Sequence, residues 1–390
     1  MRTIGVITVA RSDYGIYRPI LRKIQDSPDL KLYLIVTGMH LSPEFGMTVQ
    51  EIEDDGFTIN DRVEMLLSSD SPEGIGKSIG LGVIGFAQLF AHFRPDILLV
   101  LGDRFEMLTG VLAALPHKIP IAHLHGGETT EGAIDEAIRH SITKMSHLHF
   151  VSTETYKQRV IQLGEAPWRV TVSGAPGLDN LSSIDFLSRH QLEVKLNLSL
   201  AQPPLLVTYH PVTLEYETTA EQIQNVLTAL EQVNLPVVFT YPNADTNGRI
   251  IIEAIEQYVQ SHSNSRAVQS LGTQAYFSLM KHAAAMVGNS SSGIIEAASF
   301  ALPVVNIGNR QRGRVRGENV IDVGCKANEI VGGIRQAQSP KFRQRIANII
   351  NPYGTGNAAS IIINQLESVM IDQDLIQKQF NNSSLLEQGG

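Results

Sequence analysis

Short, uninterrupted apolar runs alternate with helical stretches along most of this 390-residue chain. The first run is 3–9, and a helical stretch at 17–25 follows it. Strands that are apolar throughout are typical of a parallel sheet covered by helices on both faces. Further strands of this kind are predicted at 31–37, 96–101, 119–125, 148–152 and 170–173. The first half of the chain therefore predicts a doubly wound α/β domain.

A second alternating set follows, with strands predicted at 205–209, 236–240, 267–270, 285–288 and 304–306. Glycine and proline cluster at 174–177, where the periodicity stops, and this predicts a domain boundary. We expect a first domain at 1–178 and a second at 179–357, with a C-terminal helix at about 358–380 packing back on the first. The predicted architecture is two Rossmann-like domains facing each other across a cleft, with ligands beyond the carboxyl ends of the strands.

Composition narrows the class of protein. Hydrophobic residues make up 43% of the chain and charged residues 18%, which excludes a disordered or fibrous chain. The net charge of −8, without a basic block, argues against nucleic acid as a partner. The single cysteine, Cys325, excludes internal disulfides and cysteine-based metal clusters. No signal peptide is evident, and the most apolar window, 79–93, is interrupted by three glycines. We expect a soluble cytoplasmic protein that binds neither membranes nor nucleic acid.

The turn after the first strand lacks the glycine pattern of dinucleotide-binding proteins. It reads A-R-S-D-Y-G at 10–15 rather than G-x-G-x-x-G, which argues against a nicotinamide or flavin enzyme. The G-x-S-x-G elbow of serine hydrolases is also absent.

Gly102-Asp103-Arg104 directly follows a predicted strand and places a carboxylate and a guanidinium at its carboxyl end. In one interpretation, Asp103 is a general acid or base and Arg104 holds a phosphate by a forked contact. In the other, the two residues form an ion pair that steadies the turn between strand and helix. These residues alone leave both interpretations open.

The next predicted strand ends in H-L-H-G-G-E at 123–128. Residues two apart on a strand share a face, so His123 and His125 are expected to project together. With Glu128 they would ligate zinc or form an acid–base cluster beside Asp103; otherwise they are two strand histidines with satisfied hydrogen bonds. The bare backbone at 126–127 would permit close approach of a ligand.

Two further strand and helix ends carry titratable groups. Asp135 begins a predicted helix at 135–146, where it would either pair with Arg139 four residues on or act as a second carboxylate of the site. In the second domain, His210 ends a predicted strand. We expect it to lie across the cleft from Asp103, although a lone histidine there also suits a structural role.

The run G-N-S-S-S-G at 288–293 links a predicted strand to a helix that carries Glu296. Small residues at a helix N-terminus expose amides to an anion, so the run is either a diphosphate cradle or an ordinary helix cap. Because position 293 is glycine, Glu296 cannot form a reciprocal capping box and would be able to accept ribose hydroxyls. Arg310 belongs to a glycine-rich loop with alternating arginines, either solvated or facing the diphosphate.

Taken in order, these segments resemble the hydrolysing UDP-N-acetylglucosamine 2-epimerases of bacterial sialic acid biosynthesis, over about 2–322. The strings that carry the resemblance are R-S-D-Y-G at 11–15, T-G-M-H at 37–40, G-D-R at 102–104, H-L-H-G-G-E at 123–128, D-E-A-I-R-H at 135–140, G-N-S-S-S-G at 288–293 and R-Q-R-G-R-V-R-G at 310–317. Because several ordered motifs match, the resemblance is more specific than any one of them.

The resemblance implies the two-domain GT-B fold and a two-step reaction. UDP departs from C1 as the C2 proton is removed, giving 2-acetamidoglucal; water then adds at C1 while C2 is reprotonated on the opposite face. No metal or redox cofactor is implied, because arginines, amides and helix dipoles assist departure of the diphosphate. The resemblance further implies a UDP-sugar substrate and a homodimer or homotetramer.

The resemblance also implies roles for individual residues. Asp103 and Asp135 match family positions assigned to acid–base work, and His125, Glu128 and His210 complete the predicted catalytic set. The implied nucleotide contacts are Arg11, Tyr14, Arg104, His210, Asn243, Ser290, Ser291, Glu296 and Arg310.

One departure from the family pattern leaves the substrate open. Some members carry glutamate where this chain has His125, so either His125 or Glu128 takes over that proton transfer, or the sugar differs. The alternatives are UDP- or GDP-linked N,N'-diacetylbacillosamine, a non-hydrolysing epimerase that re-adds UDP, and a GT-B glycosyltransferase. A nucleotide-sugar sensor without turnover ranks last, because Asp103, Glu128 and Asp135 are all present.

Overall fold

A computed structural model describes residues 1–43, 46–69, 71–130, 134–212, 217–242, 248–269 and 271–382. The chain divides into two compact units. The first comprises the described residues of 1–128, 134–182 and 354–390, and the second those of 129–133 and 183–353.

The first unit contains a seven-stranded, fully parallel sheet in the order β3-β2-β1-β4-β5-β6-β7. Its strands are β1 Arg2–Thr8, β2 Leu30–Thr37, β3 Ile59–Val63, β4 Ile97–Leu101, β5 Ile121–Leu124, β6 Leu148–Val151 and β7 Val170–Val172. Its helices are α1 Arg11–Asp26, α2 Val49–Asp54, α3 Pro72–His92, α4 Phe105–Ala114, α5 Ile134–Met145, α6 Glu154–Gln162, α14 Ala358–Ser368 and α15 Gln373–Ile376. The alternation predicted from the apolar runs is confirmed.

The edge strand β3 was not predicted from the sequence. Its five residues, I-N-D-R-V, alternate in burial and pair with β2 alone, so it lacks the continuous apolar run of the central strands. By contrast, every residue of β4 is buried, because helices cover both faces of the sheet at its centre.

The C-terminal segment returns to the first unit. Helix α14 packs against α1, and its first amides at Ala358 and Ala359 donate to the carboxylate of Asp179 at 2.9 and 2.7 Å. The guanidinium of Arg2 donates to the last carbonyls of the same helix, including that of Leu366. Capping at both ends therefore holds this distant segment on the first sheet.

The second unit contains a six-stranded parallel sheet in the order β10-β9-β8-β11-β12-β13. Its strands are β8 Leu205–Thr208, β9 Val237–Thr240, β10 Ser265–Val268, β11 Ala285–Gly288, β12 Val304–Ile307 and β13 Val320–Val323. Its helices are α7 Arg189–Leu196, α8 Thr219–Val233, α9 Gly248–Ser261, α10 Gly272–His282, α11 Ser291–Ile295, α12 Ala327–Gln338 and α13 Pro340–Ile346. The edge strand β13, like β3, was not predicted.

Helix α3 is apolar along most of its 21 residues, and it alone among the described helices is long and apolar enough to cross a membrane by length and composition. Core helices of soluble proteins pass the same test. In this unit α3 packs against α4, and its Phe86 and Phe90 are fully buried in the core.

Candidate active site

In the first unit, three neighbouring strands end beside one another and bring polar side chains together. Because β4, β5 and β6 are adjacent and parallel, their carboxyl ends lie at one edge of the sheet. Asp103 follows β4, His125 and Glu128 follow β5, and Ser152 follows β6. We call these four residues, together with Asp135 and Arg139 of α5, the strand-end cluster.

Arg139 is the buried centre of the strand-end cluster, with only 1% of its side chain exposed. Its Nε donates to Oδ2 of Asp103 at 3.0 Å, and its Nη2 donates to the same oxygen. Its Nη1 donates to Oε2 of Glu136 at 2.6 Å and to the backbone carbonyl of Glu128 at 2.8 Å. One guanidinium thus joins the ends of β4 and β5 to α5.

This arrangement corrects the ion pairing expected within α5. The sequence spacing indicated a pair between Asp135 and Arg139, four residues apart, but Arg139 pairs with Glu136, three residues away, and with Asp103. Burial raises the pKa of Asp135, and the negative charge of Asp103 raises it further. Asp135 therefore holds a proton more readily than an ordinary aspartate does, and the charge of Asp103 contributes to this.

His125 belongs to a second hydrogen-bonded group within the cluster. Its Nδ1 lies 2.6 Å from Oε1 of Glu128 and 3.1 Å from Oγ of Ser152. The hydroxyl of Ser152 also donates to Oε1 of Glu128 at 2.6 Å. Ser152 was not identified from the sequence, since a serine after a strand carries no distinctive signal until its neighbours are known.

The expectation that His123 and His125 project together is wrong. Strand β5 ends at Leu124, and His125 adopts a left-handed backbone conformation with φ of 63°, which breaks the alternation of faces. His123 is fully buried; its Nε2 donates to the carbonyl of Gly102 at 2.8 Å, and Thr143 bonds its Nδ1 at 3.2 Å. With both ring nitrogens engaged, His123 is a structural histidine of the sheet.

The glycines at 126–127 make close contacts within the protein. A Cβ on Gly126 would lie 3.1 Å from Nδ1 of His123, and a Cβ on Gly127 would lie 2.7 Å from the carbonyl oxygen of Tyr156. Gly127 also has φ of 74°. Bare backbone is therefore required for the turn to pack against α5 and α6.

The remaining predicted residues of the first unit lie around β1 and β4. Arg104 forms a two-pronged ion pair with the buried carboxylate of Glu106, at 2.8 Å from Nη2 and 3.2 Å from Nε. The forked contact expected for phosphate is thus made to Glu106. Arg11 is exposed and lies 3.5 Å from Glu51, whereas Tyr14 is buried and donates to Asp55 at 2.5 Å.

In the second unit, Asn289 organises the turn after β11. Its fully buried side chain accepts from the amide of His210 at 2.7 Å and donates to the His210 carbonyl at 2.8 Å. Its own carbonyl accepts from Nη1 of Arg310 at 3.0 Å and from Gln311 at 2.8 Å. The ends of β8, β11 and β12 are joined through this one residue.

His210 itself is buried, and burial lowers its pKa to about 3, with the charge of Arg310 acting in the same direction. Its imidazole is therefore neutral at physiological pH. Asn243, another predicted nucleotide contact, lies outside the described residues.

The serine run at 290–292 begins the short helix α11. Ser290 caps this helix by accepting from the amide of Ser292 at 3.3 Å, and Glu296 follows its last residue. Tyr276 of α10 lies close enough to Ser292 and to the charge of Glu296 for both to affect the pKa of its hydroxyl. Burial raises the pKa of Tyr276, so its hydroxyl stays protonated. Tyr276 was not predicted as a site residue, because nothing in the sequence pattern of its helix distinguishes it.

The described residues contain no group of three or more histidine, cysteine, aspartate or glutamate side chains arranged to hold a metal ion. His123 is not available as a zinc ligand, because both of its ring nitrogens are hydrogen-bonded within the first unit.

Each unit is a doubly wound parallel α/β domain, and together they define the class of GT-B-type proteins. The crystal structure of UDP-GlcNAc 2-epimerase from Neisseria meningitidis bound to UDP-GlcNAc has the same fold. It matches with a TM-score of 0.80 at 21% identity, covering 94% of this chain and 99% of that one.

The particular family follows from the sequence comparison. A model of the UDP-N-acetylglucosamine 2-epimerase family matches residues 22–367, and the chain belongs to this family.

Two relatives are named for diacetylbacillosamine, the alternative sugar expected from the sequence. GDP/UDP-N,N'-diacetylbacillosamine 2-epimerase (hydrolyzing) of Campylobacter jejuni is 42% identical, covering 88% of this chain and 89% of its own length. UDP-N,N'-diacetylbacillosamine 2-epimerase (hydrolyzing) of Legionella pneumophila is 38% identical, covering 97% of this chain and 99% of its own length. The family resemblance is confirmed, but these names do not support the narrower expectation of the sialic acid enzyme.

Proposed function

We propose that this protein is a hydrolysing 2-epimerase of nucleotide-linked N,N'-diacetylbacillosamine, with UDP or GDP as the leaving group. The observation that carries the chemistry is the strand-end cluster of the first unit. The observation that favours this sugar is the pair of relatives at 42% and 38% identity, both named for it.

Inversion at C2 through a planar glycal requires proton transfer on two opposite faces. The strand-end cluster contains two separate groups suited to this: the coupled carboxylates of Asp103 and Asp135, and the imidazole of His125 held by Glu128. We assign one face of C2 to each group. Because the pKa of Asp135 is raised, its carboxyl retains a proton more readily than an ordinary aspartate, and we assign it the role of proton donor.

The proposed reaction proceeds in two balanced steps. In the first, a base of the cluster takes the C2 proton as the C1–O bond breaks, and the nucleoside diphosphate leaves with the bonding electrons. In the second, water adds its hydroxyl to C1 of the glycal while a proton reaches C2 from the other face. The products are the nucleoside diphosphate and free 2,4-diacetamido-2,4,6-trideoxymannose.

For the nucleotide we propose the second unit. Buried amides and hydroxyls around Asn289, Ser290 and Tyr276 are suited to a diphosphate, and Glu296 to ribose hydroxyls. Ser291, Arg310, Asn243 and the neutral His210 complete the contacts proposed on this unit. The family resemblance also implies nucleotide contacts for Arg11, Tyr14 and Arg104. We also propose a homodimer or homotetramer in the cytoplasm, which light scattering and cell fractionation would test.

UDP-N-acetylglucosamine is the second candidate substrate. A relative named UDP-N-acetylglucosamine 2-epimerase, from Neisseria meningitidis serogroup B, is 32% identical over 92% of this chain. With that substrate the same two steps would release N-acetylmannosamine and UDP.

Proton NMR in deuterated water distinguishes the candidates. The purified protein is incubated in parallel with UDP- and GDP-N,N'-diacetylbacillosamine and with UDP-N-acetylglucosamine. We expect the free trideoxymannose with deuterium at C2, plus nucleotide, from a diacetylbacillosamine substrate. Preferred release of N-acetylmannosamine would favour the second candidate, and an epimer still linked to nucleotide would exclude the hydrolysing reaction.

A further inference from the structure

The hydrogen bonds around Glu128 determine which nitrogen of His125 carries a proton. Oε1 of Glu128 lies 2.6 Å from both Nδ1 of His125 and Oγ of Ser152. An ionised carboxylate has no proton to donate, so both hydrogens come from the partners. Nδ1 of His125 is therefore protonated, and the hydroxyl of Ser152 points at the carboxylate.

The other ring nitrogen, Nε2, differs from Nδ1 in its surroundings. It is buried and has no hydrogen-bond partner among the residues that the structure describes. A buried N–H without an acceptor is costly, so the tautomer with its proton on Nδ1 and the lone pair on Nε2 is favoured. The left-handed backbone at His125, with φ of 63°, adds local strain of the kind that collects at functional sites.

We infer that Ser152 is a positioning residue of this epimerase: with Glu128 it holds His125 in the Nδ1–H tautomer, so that Nε2 is the atom that exchanges a proton with the sugar. The inference rests on the proposed function, since it names the atom that serves one face of C2. Ser152 itself contacts only Glu128 and His125 in this role and does not transfer the proton.

Ser152 also partly neutralises the negative charge of Glu128. Its hydrogen bond offsets part of the negative charge at Oε1, and without it the carboxylate would attract an imidazolium more strongly. The groups that surround His125 are Glu128 in its own turn, Ser152 after β6, His123 of β5, and Arg139 of α5 through the Glu128 carbonyl. Of these, Glu128 is the charged group in direct contact, so changes at Ser152 act on His125 through it.

The test compares three variants with the unmodified protein. Ser152→Ala removes the hydroxyl, Ser152→Thr retains one, and Ser146→Ala removes another buried hydroxyl, which donates to the Ile142 carbonyl. Nitrogen-15 NMR of the free protein, with the His125 signal assigned by its absence in His125→Gln, reports the tautomer and titration of the ring. The pH dependence of kcat is measured on the same preparations.

We expect Nδ1–H in the unmodified protein. In Ser152→Ala we expect the pH profile of kcat to shift upward by about half a pH unit or more, and kcat to fall roughly tenfold at neutral pH. Ser152→Thr should restore the profile, and Ser146→Ala should leave it unchanged.

An Nε2–H tautomer in the unmodified protein would overturn the inference, as would an unchanged pH profile of kcat in Ser152→Ala. Should Ser152→Ala fail to fold, Glu128→Gln replaces it, and we then expect a mixture of tautomers, because an amide both donates and accepts. The NMR measurement needs no substrate. An Nδ1–H ring without turnover of any nucleotide sugar would therefore contradict the proposed function while supporting this hydrogen bonding.

Discussion

Nε of Arg139 donates to Oδ2 of Asp103 at 3.0 Å, although 36 residues separate the two along the chain. Asp103 follows β4 and Arg139 lies on α5, so the contact depends on the pairing of β4 with β5. The arginine is 1% exposed and the aspartate 27%, which leaves the carboxylate accessible on one side and fixed on the other. A carboxylate held in this way is preorganised for proton transfer.

Asp103→Asn should abolish turnover while leaving UDP binding nearly intact. The amide keeps the shape of the carboxylate but cannot take up a proton, and general acid–base groups contribute roughly 10²- to 10⁴-fold to rates. Turnover by NMR and UDP affinity by calorimetry provide the measurements, with exposed Asp29→Asn as the control. Near-normal turnover would remove Asp103 from the mechanism.

Arg139→Lys should lower both activity and stability. Lysine retains the charge but cannot reach Asp103, Glu136 and the Glu128 carbonyl together, because the planar fork is lost. We expect kcat to fall at least about tenfold and the free energy of unfolding by about 1–3 kcal/mol. Denaturant titration measures the second quantity. Arg18→Lys, in an exposed pair with Asp55, should change stability by less than about 0.5 kcal/mol; equal losses in both variants would contradict the assigned role.

His123→Gln should make the stability of the fold less sensitive to acid. Burial lowers the pKa of His123 to about 3, from its ordinary value of 6.5. Between those pH values the unfolded chain binds a proton at His123 that the folded state excludes. The contribution of His123 to the stability of the fold is therefore complete above pH 6.5 and is lost as the pH falls toward 3.

At pH 7 we therefore expect the free energy of unfolding of His123→Gln to be about 1–3 kcal/mol lower than that of the unmodified protein, because hydrogen bonds are broken. Between pH 6.5 and about 4.5, however, the free energy of unfolding should decline less steeply in the variant than in the unmodified protein. Urea titration at several pH values measures both effects. Exposed His92→Gln should leave the decline unchanged. A parallel decline in His123→Gln would show that His123 does not carry this sensitivity.

Gly288→Ala should destabilise the second unit strongly. A Cβ at this position would lie 1.9 Å from the carbonyl oxygen of Thr208, and the backbone has φ of 136°. Steric overlap and strain together should cost about 3 kcal/mol or more. Thermal and urea unfolding measure the loss.

Gly332→Ala serves as the matched control, because its Cβ would meet no atom within 4 Å on helix α12. For Gly332→Ala we expect the free energy of unfolding to rise by up to about 1 kcal/mol, because alanine restricts the conformational freedom of the unfolded chain. Similar effects at both positions would contradict the steric argument for Gly288.

Glu296→Ala should weaken UDP binding about tenfold if the carboxylate accepts ribose hydroxyls, as expected for a hydrogen bond to a charged group. Calorimetry with UDP measures the dissociation constant, and exposed Glu253→Ala on α9 provides the control. An unchanged dissociation constant in a folded Glu296→Ala protein would return Glu296 to a structural role at the end of α11.

Sequence alone determined the α/β class, the central strands and the family. Central strands such as β4 and β11 are apolar throughout, and this pattern is visible without coordinates because helices cover both faces of a parallel sheet. The edge strands β3 and β13 were missed because polar residues interrupt their short apolar runs.

Only the tertiary structure decided the partners of the site residues. The guanidinium of Arg139 pairs with Asp103 rather than Asp135, and the left-handed turn at His125 directs its ring to Glu128 and Ser152. The bond from Arg139 to Asp103 spans 36 positions and that from Ser152 to Glu128 spans 24, on elements that meet only in the folded sheet. Sequence spacing determines which residues share a face within one element, whereas hydrogen bonding depends on distances between elements, which strand order and packing set.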